Sequence, residues 1–319
     1  MRARWRQFKI PAPQPRFLGL VRARFRWHPA DIKLHRSAQG ARCASSTSLS
    51  GTSMANGWVR TSTGDTHVLA SNGSMQMFML VRSKKEFFTD FIEREAKARA
   101  LKLVVNGSFI DLSFGSRMAV MASGSPLDPA DSTPVGEVIQ DAKLIAGSDS
   151  PGKFNFSQDT CGVQRFSAHL GNPSHGACAA IGGIAPIVID GLAYGAQNAY
   201  KAGVPAGAPL TGDVGAKWIP FLTQKSNAMF TALLARGDRV GKTAVGYSRA
   251  KAKLVILVQG NDSAGDDANG VRTRLLGEGV DNAVFLDCSD SATLYYDGKF
   301  IVSPGKQKNE YLSVAVGFK

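Results

Sequence analysis

The chain has 319 residues, 44% of them hydrophobic, and a formal net charge of +13 at neutral pH. Its length allows one large domain or two small ones, and no run of about eighteen apolar residues predicts a transmembrane helix. Residues 1–50 hold eleven of the 38 Lys and Arg residues and one acid, Asp31, so the rest of the chain carries only +3. A body this close to neutral argues against a nucleic-acid partner.

The N-terminal segment is predicted to be a basic, disordered extension over residues 1–57, followed by one domain over residues 58–319. Pro11, Pro13 and Pro15 interrupt it, and its apolar stretch FLGLV is shorter than the roughly 7–15 residues of a secretory signal. Two other interpretations of the segment remain: an Arg-rich organelle transit peptide, and a basic arm that binds nucleic acid or anionic lipid. A translation start at Met54 would remove the segment altogether.

Regular patterns begin at residue 58. THVLAS (66–71) and MQMFMLVR (75–82) alternate as strands do. Residues 83–100 predict a helix that opens with a capping box, Ser83 and Glu86. The predicted apolar face of this helix consists of Phe87, Phe88, Phe91, Ile92 and Ala96. LKLVV (101–105) then predicts a buried strand that leads into NGSFID.

The middle of the chain, residues 115–180, is rich in Gly, Ser, Pro and Asp and predicts only short strands, KFNF and VQRFSAHL. A loop region of this length inside a globular chain often borders a binding site. IGGIAPIVIDG (181–191) predicts a tight glycine turn, a strand and an Asp-Gly turn. A moderately amphipathic stretch, KWIPFLTQKSNAMFTALLAR, follows.

The last hundred residues alternate most regularly. TAVGYS, KLVILVQ, NAVFLD, ATLYY, KFIVS and LSVAVGF predict strands, with Asp297-Gly298 as a hairpin turn. DDANGVRTRLLGEG predicts a short helix from about Asp267. Many strands with few helices and no strict βαβ alternation predict an α+β fold, with a mixed, largely antiparallel sheet and a few packed helices.

Cysteine and histidine spacing predicts no metal site. Cys43, Cys161, Cys178 and Cys288 fit no metal-binding pattern. Cys161 and Cys178 flank one loop-rich region and would pair in an exported protein, but the favoured interpretation is that all four are free and pack as small apolar residues. His169 and His175 are six residues apart, not the three or four of a helical metal pair.

The segment RGDRVGKTAVG (236–246) resembles a nucleotide-binding loop. That motif requires four residues between its first glycine and the Gly-Lys pair, whereas three separate Gly237 from Gly241 here. The motif must also open a helix, but a strand pattern follows. Spacing and context therefore argue against an NTPase. Lys242 and Thr243 are predicted to be strand-entry residues, either at a site or simply solvated.

Four motifs in order resemble the phosphodiester glycosidase family. VVNGSFID resembles its NGGFFD-like turn, IGGIAPIVIDG its glycine pair before a strand, KTAVGYS its basic-Thr-Ala-Gly strand entry, and FLDCSDSATLYYDGK its LDGGGS segment with the following hairpin. The resemblance covers about residues 60–319. The family's type enzyme removes N-acetylglucosamine from a sugar-1-phosphodiester, and bacterial relatives are associated with exopolysaccharide. The resemblance implies a hydrolase that acts on a carbohydrate or sugar-phosphate substrate without a cofactor. It also implies a location outside the cytoplasm, but no clear signal peptide is visible, so a cytoplasmic location remains an alternative.

The resemblance also implies the site residues. Asp287 and Asp111 each follow a predicted strand and are the candidate catalytic carboxylates, with Asp290 as a third. Lys242, helped by Thr243, is the candidate phosphate-binding residue. The full set of predicted substrate-binding residues is Asn106, Gly107, Gly182, Gly183, Lys242, Thr243 and Ser291. Each has a structural alternative, such as a turn held by Asn106 or a solvated charge at Lys242.

The chain departs from the family's glycine motifs at two places. Ser108 stands where the family has the second glycine of a pair, and Cys288, Ser289 and Asp290 stand at its glycine triplet. Glycine permits positive φ angles and close approach to a ligand. The departures therefore favour a second hypothesis, a carbohydrate-binding relative with impaired catalysis. A nucleic-acid-binding protein that acts through the basic segment is the weakest hypothesis.

Overall fold

The computed structural model describes residues 52–53, 57–71, 74–112, 124–150, 154–193 and 239–319. The predictions for the basic segment 1–50 and for the amphipathic stretch 217–236 lie outside these residues. Among the described helices, none combines the length and apolar composition that crossing a membrane requires.

The described residues form three α-helices and two 3₁₀ helices. The α-helices are α1 (Phe88–Arg99), α2 (Ala268–Gly277) and α3 (Lys306–Tyr311). The 3₁₀ helices are Pro129–Asp131 and Ser289–Ser291. The predicted start of α2 is confirmed, because Asp267 caps it and accepts a hydrogen bond from the Gly270 N–H at 2.6 Å. No pattern in the sequence predicted α3.

The first helix starts later than predicted. α1 begins at Phe88, with Phe87 at the N-cap and no side-chain cap. The predicted capping box of Ser83 and Glu86 is wrong, because the Glu86 carboxylate accepts a hydrogen bond from Arg94 at 2.6 Å instead. The apolar face is confirmed by the buried residues Phe88, Phe91, Ile92 and Ala96, while Phe87 is half-buried.

Nineteen strands lie in the described residues. In chain order they are β1 (Thr52–Ser53), β2 (Trp58–Thr63), β3 (Thr66–Ser71), β4 (Met77–Val81), β5 (Leu103–Asn106), β6 (Ile110–Leu112), β7 (Ser132–Pro134), β8 (Val138–Gln140), β9 (Lys143–Ala146), β10 (Phe154–Gln158), β11 (Phe166–Leu170), β12 (Ala179–Ile189), β13 (Leu192–Ala193), β14 (Lys242–Ser248), β15 (Lys253–Gln259), β16 (Asn282–Phe285), β17 (Leu294–Tyr296), β18 (Lys299–Val302) and β19 (Val314–Phe318).

The strands form two main sheets and a small one. The large sheet has the order β1-β2-β3-β15-β14-β16-β12-β10-β11, with β13 and β8 also on β12 and β9 on β8. The second sheet has the order β18-β17-β5-β19-β4, and β6 pairs with β7. Every pairing between described strands is antiparallel. The fold is therefore sheet-rich with few helices, and the predicted mixed character of the sheet is not seen in this part of the chain.

The main hydrophobic core includes residues from both sheets. Val105 of β5 belongs to it together with Phe285 of the large sheet. The neighbouring residue Val104 belongs to a second cluster, where it packs with Phe88 and Phe91 of α1. Successive side chains of a strand point to opposite faces. One face of the five-stranded sheet therefore contributes to the main core and the other is covered by α1.

Two local predictions need correction. The Gly182-Gly183 pair does not form a turn before a strand, because both glycines lie inside the long strand β12, near an irregularity in its pairing with β10. Cys161 and Cys178 are joined by a disulfide bond, so the favoured interpretation of free cysteines is wrong for this pair. The Asp297-Gly298 hairpin turn is confirmed, with φ angles of 49° and 81°.

The sheet begins before the predicted start of the domain at residue 58. Thr52 of β1 pairs with Arg60 of β2, and Ser53 pairs with Val59. Residues 52–53 therefore belong to the edge of the large sheet.

Candidate active site

The candidate site lies in the middle of the large sheet, where the central strand β16 ends and its neighbour β14 begins. We call these strand ends the site edge. Ala244 of β14 is paired with Phe285 of β16, and the Leu286 N–H donates to the Thr243 carbonyl oxygen at 2.9 Å. Continuing this register by two residues places Lys242 beside Asp287. On the other side of β16, Ala185 of β12 pairs with the same Phe285. The segment after β16 is thus flanked by two predicted site motifs.

Asn106 joins the second sheet to this edge. Its Nδ2 donates to the Asp287 carbonyl oxygen at 2.7 Å, and its Oδ1 accepts from Thr243 Oγ1 at 2.7 Å and from the Thr293 N–H at 3.0 Å. The Asp287 N–H also donates to the Gly107 carbonyl oxygen at 3.0 Å. Asn106 is completely buried. These hydrogen bonds make Asn106 a structural link between strand ends. They also occupy both the nitrogen and the oxygen of the side-chain amide, which was predicted to bind a sugar.

The side chain of Asp287 is buried, at 2% exposure. Its Oδ2 accepts a hydrogen bond from Ser291 Oγ at 2.6 Å, whereas its Oδ1 is buried without a hydrogen-bond partner among the described residues. Burial raises the pKa of the Asp287 carboxyl group, and the nearby Lys308 ammonium and the Ser291 hydroxyl oppose this effect in part. The structure therefore brings together Asp287, Ser291, Asn106 and Thr243, which lie in three of the four motifs.

Lys308 of α3 is a site residue that the sequence did not reveal. Its Nζ lies 3.5 Å from Asp287 Oδ2, 3.9 Å from Asp290 Oδ1 and 5.2 Å from the centroid of the Tyr311 ring. Burial disfavours the charged form of Lys308, but Asp287, Tyr311 and Asp290 outweigh burial and raise the pKa of the ammonium. The residue lies in a six-residue helix with no apolar periodicity, so the sequence carries no signal for it.

The groups predicted to bind phosphate, at Lys242 and at the glycine pair, make hydrogen bonds or close contacts within the protein. Lys242 is completely buried, and its Nζ donates to the Val240 carbonyl oxygen at 2.7 Å. The Gly182 N–H donates to the Glu137 carbonyl oxygen at 2.8 Å, so this amide is already engaged. At Gly183, φ is 70° and an added Cβ would lie 2.6 Å from the Gly136 nitrogen, so glycine is required there by packing. Backbone hydrogen bonding at Gly182 and close packing at Gly183 therefore explain both glycines without a ligand.

Asp111, the other predicted catalytic carboxylate, lies on β6 and is exposed. It is opposite Thr133 of β7 in the two-stranded sheet. Its pairing with Asp287 stays a prediction.

A polar cavity of about 470 Å³ opens beside the site. Asp290 and Gly305 line it on the side of Asp287, and His67 and Ser303 are among the other lining residues. Burial lowers the pKa of His67, which favours the neutral form of its imidazole. The volume and the polar lining are of the kind that can hold a small polar ligand.

A comparison with protein-family models decides the relationship. The model of the phosphodiester glycosidase family, NAGPA, matches residues 100–319. The chain belongs to the phosphodiester glycosidase family. No curated protein sequence matches the chain.

Three solved structures are similar to this chain at low sequence identity. The zebrafish N-acetylglucosamine-1-phosphodiester alpha-N-acetylglucosaminidase catalytic domain, auto-inhibited by its pro-peptide, is 17% identical, with a TM-score of 0.47 over 88% of this chain and 86% of that chain. A putative exported protein from Burkholderia pseudomallei is 13% identical, with a TM-score of 0.46 over 85% and 76%. A hypothetical protein from Synechocystis is 10% identical, with a TM-score of 0.43 over 84% of this chain and 60% of that chain.

The residues at the altered glycine positions of this chain differ in backbone conformation and in burial. Ser289 has a φ of 65°, a conformation that glycine adopts without cost. Cys288 is buried, and burial raises the pKa of its thiol to about 12, so it is not a thiolate nucleophile at neutral pH. Ser108 is 1% exposed, and its Oγ has no hydrogen-bond partner among the described residues.

Proposed function

We propose that this protein hydrolyses a sugar-1-phosphodiester or a related glycosidic linkage of the N-acetylglucosamine type, in a glycoconjugate or polysaccharide. The observation that carries the proposal is the Asp287 carboxyl group. One of its oxygens is held by Ser291 and lies near Lys308, while Oδ1 is buried without a partner among the described residues. A desolvated carboxyl group with a raised pKa at the edge of a sheet is typical of a catalytic acid or base.

The chemistry assigned to Asp287 is proton transfer to the leaving oxygen. A buried carboxyl group keeps its proton to a higher pH than an exposed one, so it can act as a general acid. The oxygen of a water molecule bonds to the anomeric carbon, the bond from this carbon to the phosphate oxygen breaks, and the phosphate monoester leaves with the proton from Asp287. The proton of the water passes to a second carboxylate, for which Asp111 remains the candidate.

The positive charges at this edge support an anionic substrate. Lys242 and Lys308 are both largely removed from solvent, where a charge acts more strongly than in water. The cavity beside Asp290 offers room for the sugar. The disulfide bond between Cys161 and Cys178 supports a location outside the cytoplasm, because disulfides persist in oxidising compartments.

The test is turnover of a chromogenic or UDP-linked N-acetylglucosamine phosphodiester by the full chain. The wild type is expected to release N-acetylglucosamine, and Asp287→Asn to lower the rate about 10²- to 10⁴-fold. Asp297→Asn makes the same chemical change in an exposed hairpin turn and is the matched control. Equal rates for Asp287→Asn and wild type would overturn the role of Asp287.

A second candidate function is carbohydrate binding without catalysis. The observation in its favour is that side chains occupy the family's glycine triplet, with Ser289 held at a positive φ. Calorimetric binding of an N-acetylglucosamine phosphodiester by the wild type, with no product released over hours, would favour this candidate over hydrolysis.

A further inference from the structure

The turn that replaces the family's glycine triplet is packed directly against the start of α3. The Gly305 N–H donates to the Asp290 carbonyl oxygen at 2.6 Å. An added Cβ on Gly305 would lie 2.8 Å from the Asp290 Cβ. Gly305 is the N-cap of α3. The N-terminus of this short helix therefore packs directly against the backbone and the side chain of Asp290.

The same helix places Lys308 next to Asp287. Lys308 lies three residues after the N-cap, and its Nζ is 3.5 Å from Asp287 Oδ2 and 3.9 Å from Asp290 Oδ1. The Tyr311 ring lies 5.2 Å from the ammonium, within the range of a cation–π contact. The Lys308 side chain is only 18% exposed. A solvated surface lysine would not have two carboxylates and an aromatic ring around it.

We propose that Lys308, anchored by Asp290 and Tyr311, is the positioning residue that holds Oδ2 of Asp287 and leaves Oδ1 for the substrate. Asp290, which stands at the family's glycine triplet, is then part of a working site rather than the cause of lost activity. This inference rests on the proposed function for its catalytic meaning, but the contact itself can be tested without a substrate.

Charged and titratable groups surround Asp287 from several elements. They are Lys308 and Tyr311 of α3, Asp290 of the 3₁₀ helix, Lys242 of β14 and the adjoining Cys288. Lys308 lowers the pKa of Asp287, whereas burial and Asp290 raise it. Removal of the ammonium therefore leaves only the hydrogen bond from Ser291 to oppose the effects that favour the protonated carboxyl group.

The experiment is an infrared pH titration of the protonated carboxyl band of Asp287 in the full chain. Subtraction of the Asp287→Asn spectrum identifies this band. Lys308→Met is expected to move its midpoint to higher pH by about one pH unit or more, and Lys308→Arg to leave it near the wild-type value. Lys306→Met removes an exposed charge from the same helix and is the control that should change nothing.

An unchanged midpoint in Lys308→Met would overturn the positioning role. Thermal unfolding checks that each variant folds, and Lys308→Gln replaces Lys308→Met if the latter does not. A wild type without turnover but with a shifted midpoint in Lys308→Met would contradict the proposed function and leave the contact standing. In the turnover assay, Asp290→Gly is expected to lower kcat about tenfold, and a higher kcat would show that Asp290 impairs the site.

Discussion

Two adjoining strand ends, those of β5 and β16, both place a buried polar side chain at the same edge, yet their hydrogen bonding differs. At the end of β5, Asn106 uses its oxygen twice and its nitrogen once in bonds of 2.7 to 3.0 Å. After β16, Asp287 leaves one carboxyl oxygen buried without a partner among the described residues, and Ser289 has a positive φ.

The difference separates a structural role from a chemical one. Buried polar groups are almost always hydrogen-bonded, because an unpaired one costs free energy. Asn106 meets this rule and thereby joins the two sheets. Asp287 does not meet it, and unsatisfied or strained groups of this kind concentrate where a ligand completes the bonding. We therefore infer a structural role for Asn106 and propose a chemical role for Asp287.

The largest stability effect is expected at Asn106. Asn106→Ala leaves the Thr243 hydroxyl, the Thr293 N–H and the Asp287 carbonyl oxygen without their partner. We expect a loss of about 3 to 5 kcal/mol in the free energy of unfolding, measured by denaturant titration. Gln307→Ala, on an exposed residue, is the control. A loss below about 1 kcal/mol would contradict the assignment of Asn106 to the scaffold.

The disulfide bond offers a third region for comparison, on the large sheet. Cys161→Ser opens a link between cysteines separated by 17 residues. We expect the free energy of unfolding to fall by about 3 kcal/mol, because the unfolded chain gains freedom, while the turnover number stays the same. Reductant should reproduce the loss in the wild type and have no further effect on the variant. Lost turnover at full stability would link this region to the site.

The pH dependence of stability sharpens the assignment of Asp287. Its raised pKa means that the folded state holds the proton more tightly than the unfolded state, whose pKa is near 3.8. The contribution of Asp287 to the free energy of unfolding is therefore fully present below about pH 4, and it is lost as the pH rises through the pKa of the folded state. Its size is on the order of 1.4 kcal/mol for each pH unit that separates the folded pKa from the unfolded one.

Asp287→Asn should remove this dependence. Its stability relative to wild type is therefore expected to rise from pH 4 upward, as measured by thermal unfolding at a series of pH values. Asp297→Asn, in the exposed hairpin turn, controls for the amide itself. Parallel stability curves for Asp287→Asn and wild type would show that burial does not raise the pKa of this carboxyl group.

The smallest expected effect concerns the strained turn. Ser289→Gly restores the residue type that suits a φ of 65°, and it should raise the free energy of unfolding by about 0.5 to 1 kcal/mol. Ser303→Gly, on an exposed serine, is expected to have no stabilising effect. A destabilised Ser289→Gly variant would mean that the serine side chain makes a contact worth more than the strain.

Much of the local structure followed from the sequence. The alternation in THVLAS and KLVILVQ predicted β3 and β15 at the residues where they lie, and helical spacing predicted the buried face of α1. The capping box failed because the Glu86 carboxylate has a better partner in Arg94. The local sequence predicts a turn at Gly182-Gly183. The residues before this pair are hydrogen-bonded to β8 and those after it to β16, so the pair lies inside β12.

The site itself divides in the same way. The resemblance to the family's motifs implied Asp287, Asn106, Thr243 and Ser291 as candidates, and each lies in or near a strand pattern that the chain encodes locally. Lys308 and the bond between Cys161 and Cys178 were decided only by the tertiary structure. Periodicity along a strand or helix depends on residues a few positions apart. A contact such as that between Asn106 and Asp287 joins residues 181 positions apart, and it exists only once two sheets have packed.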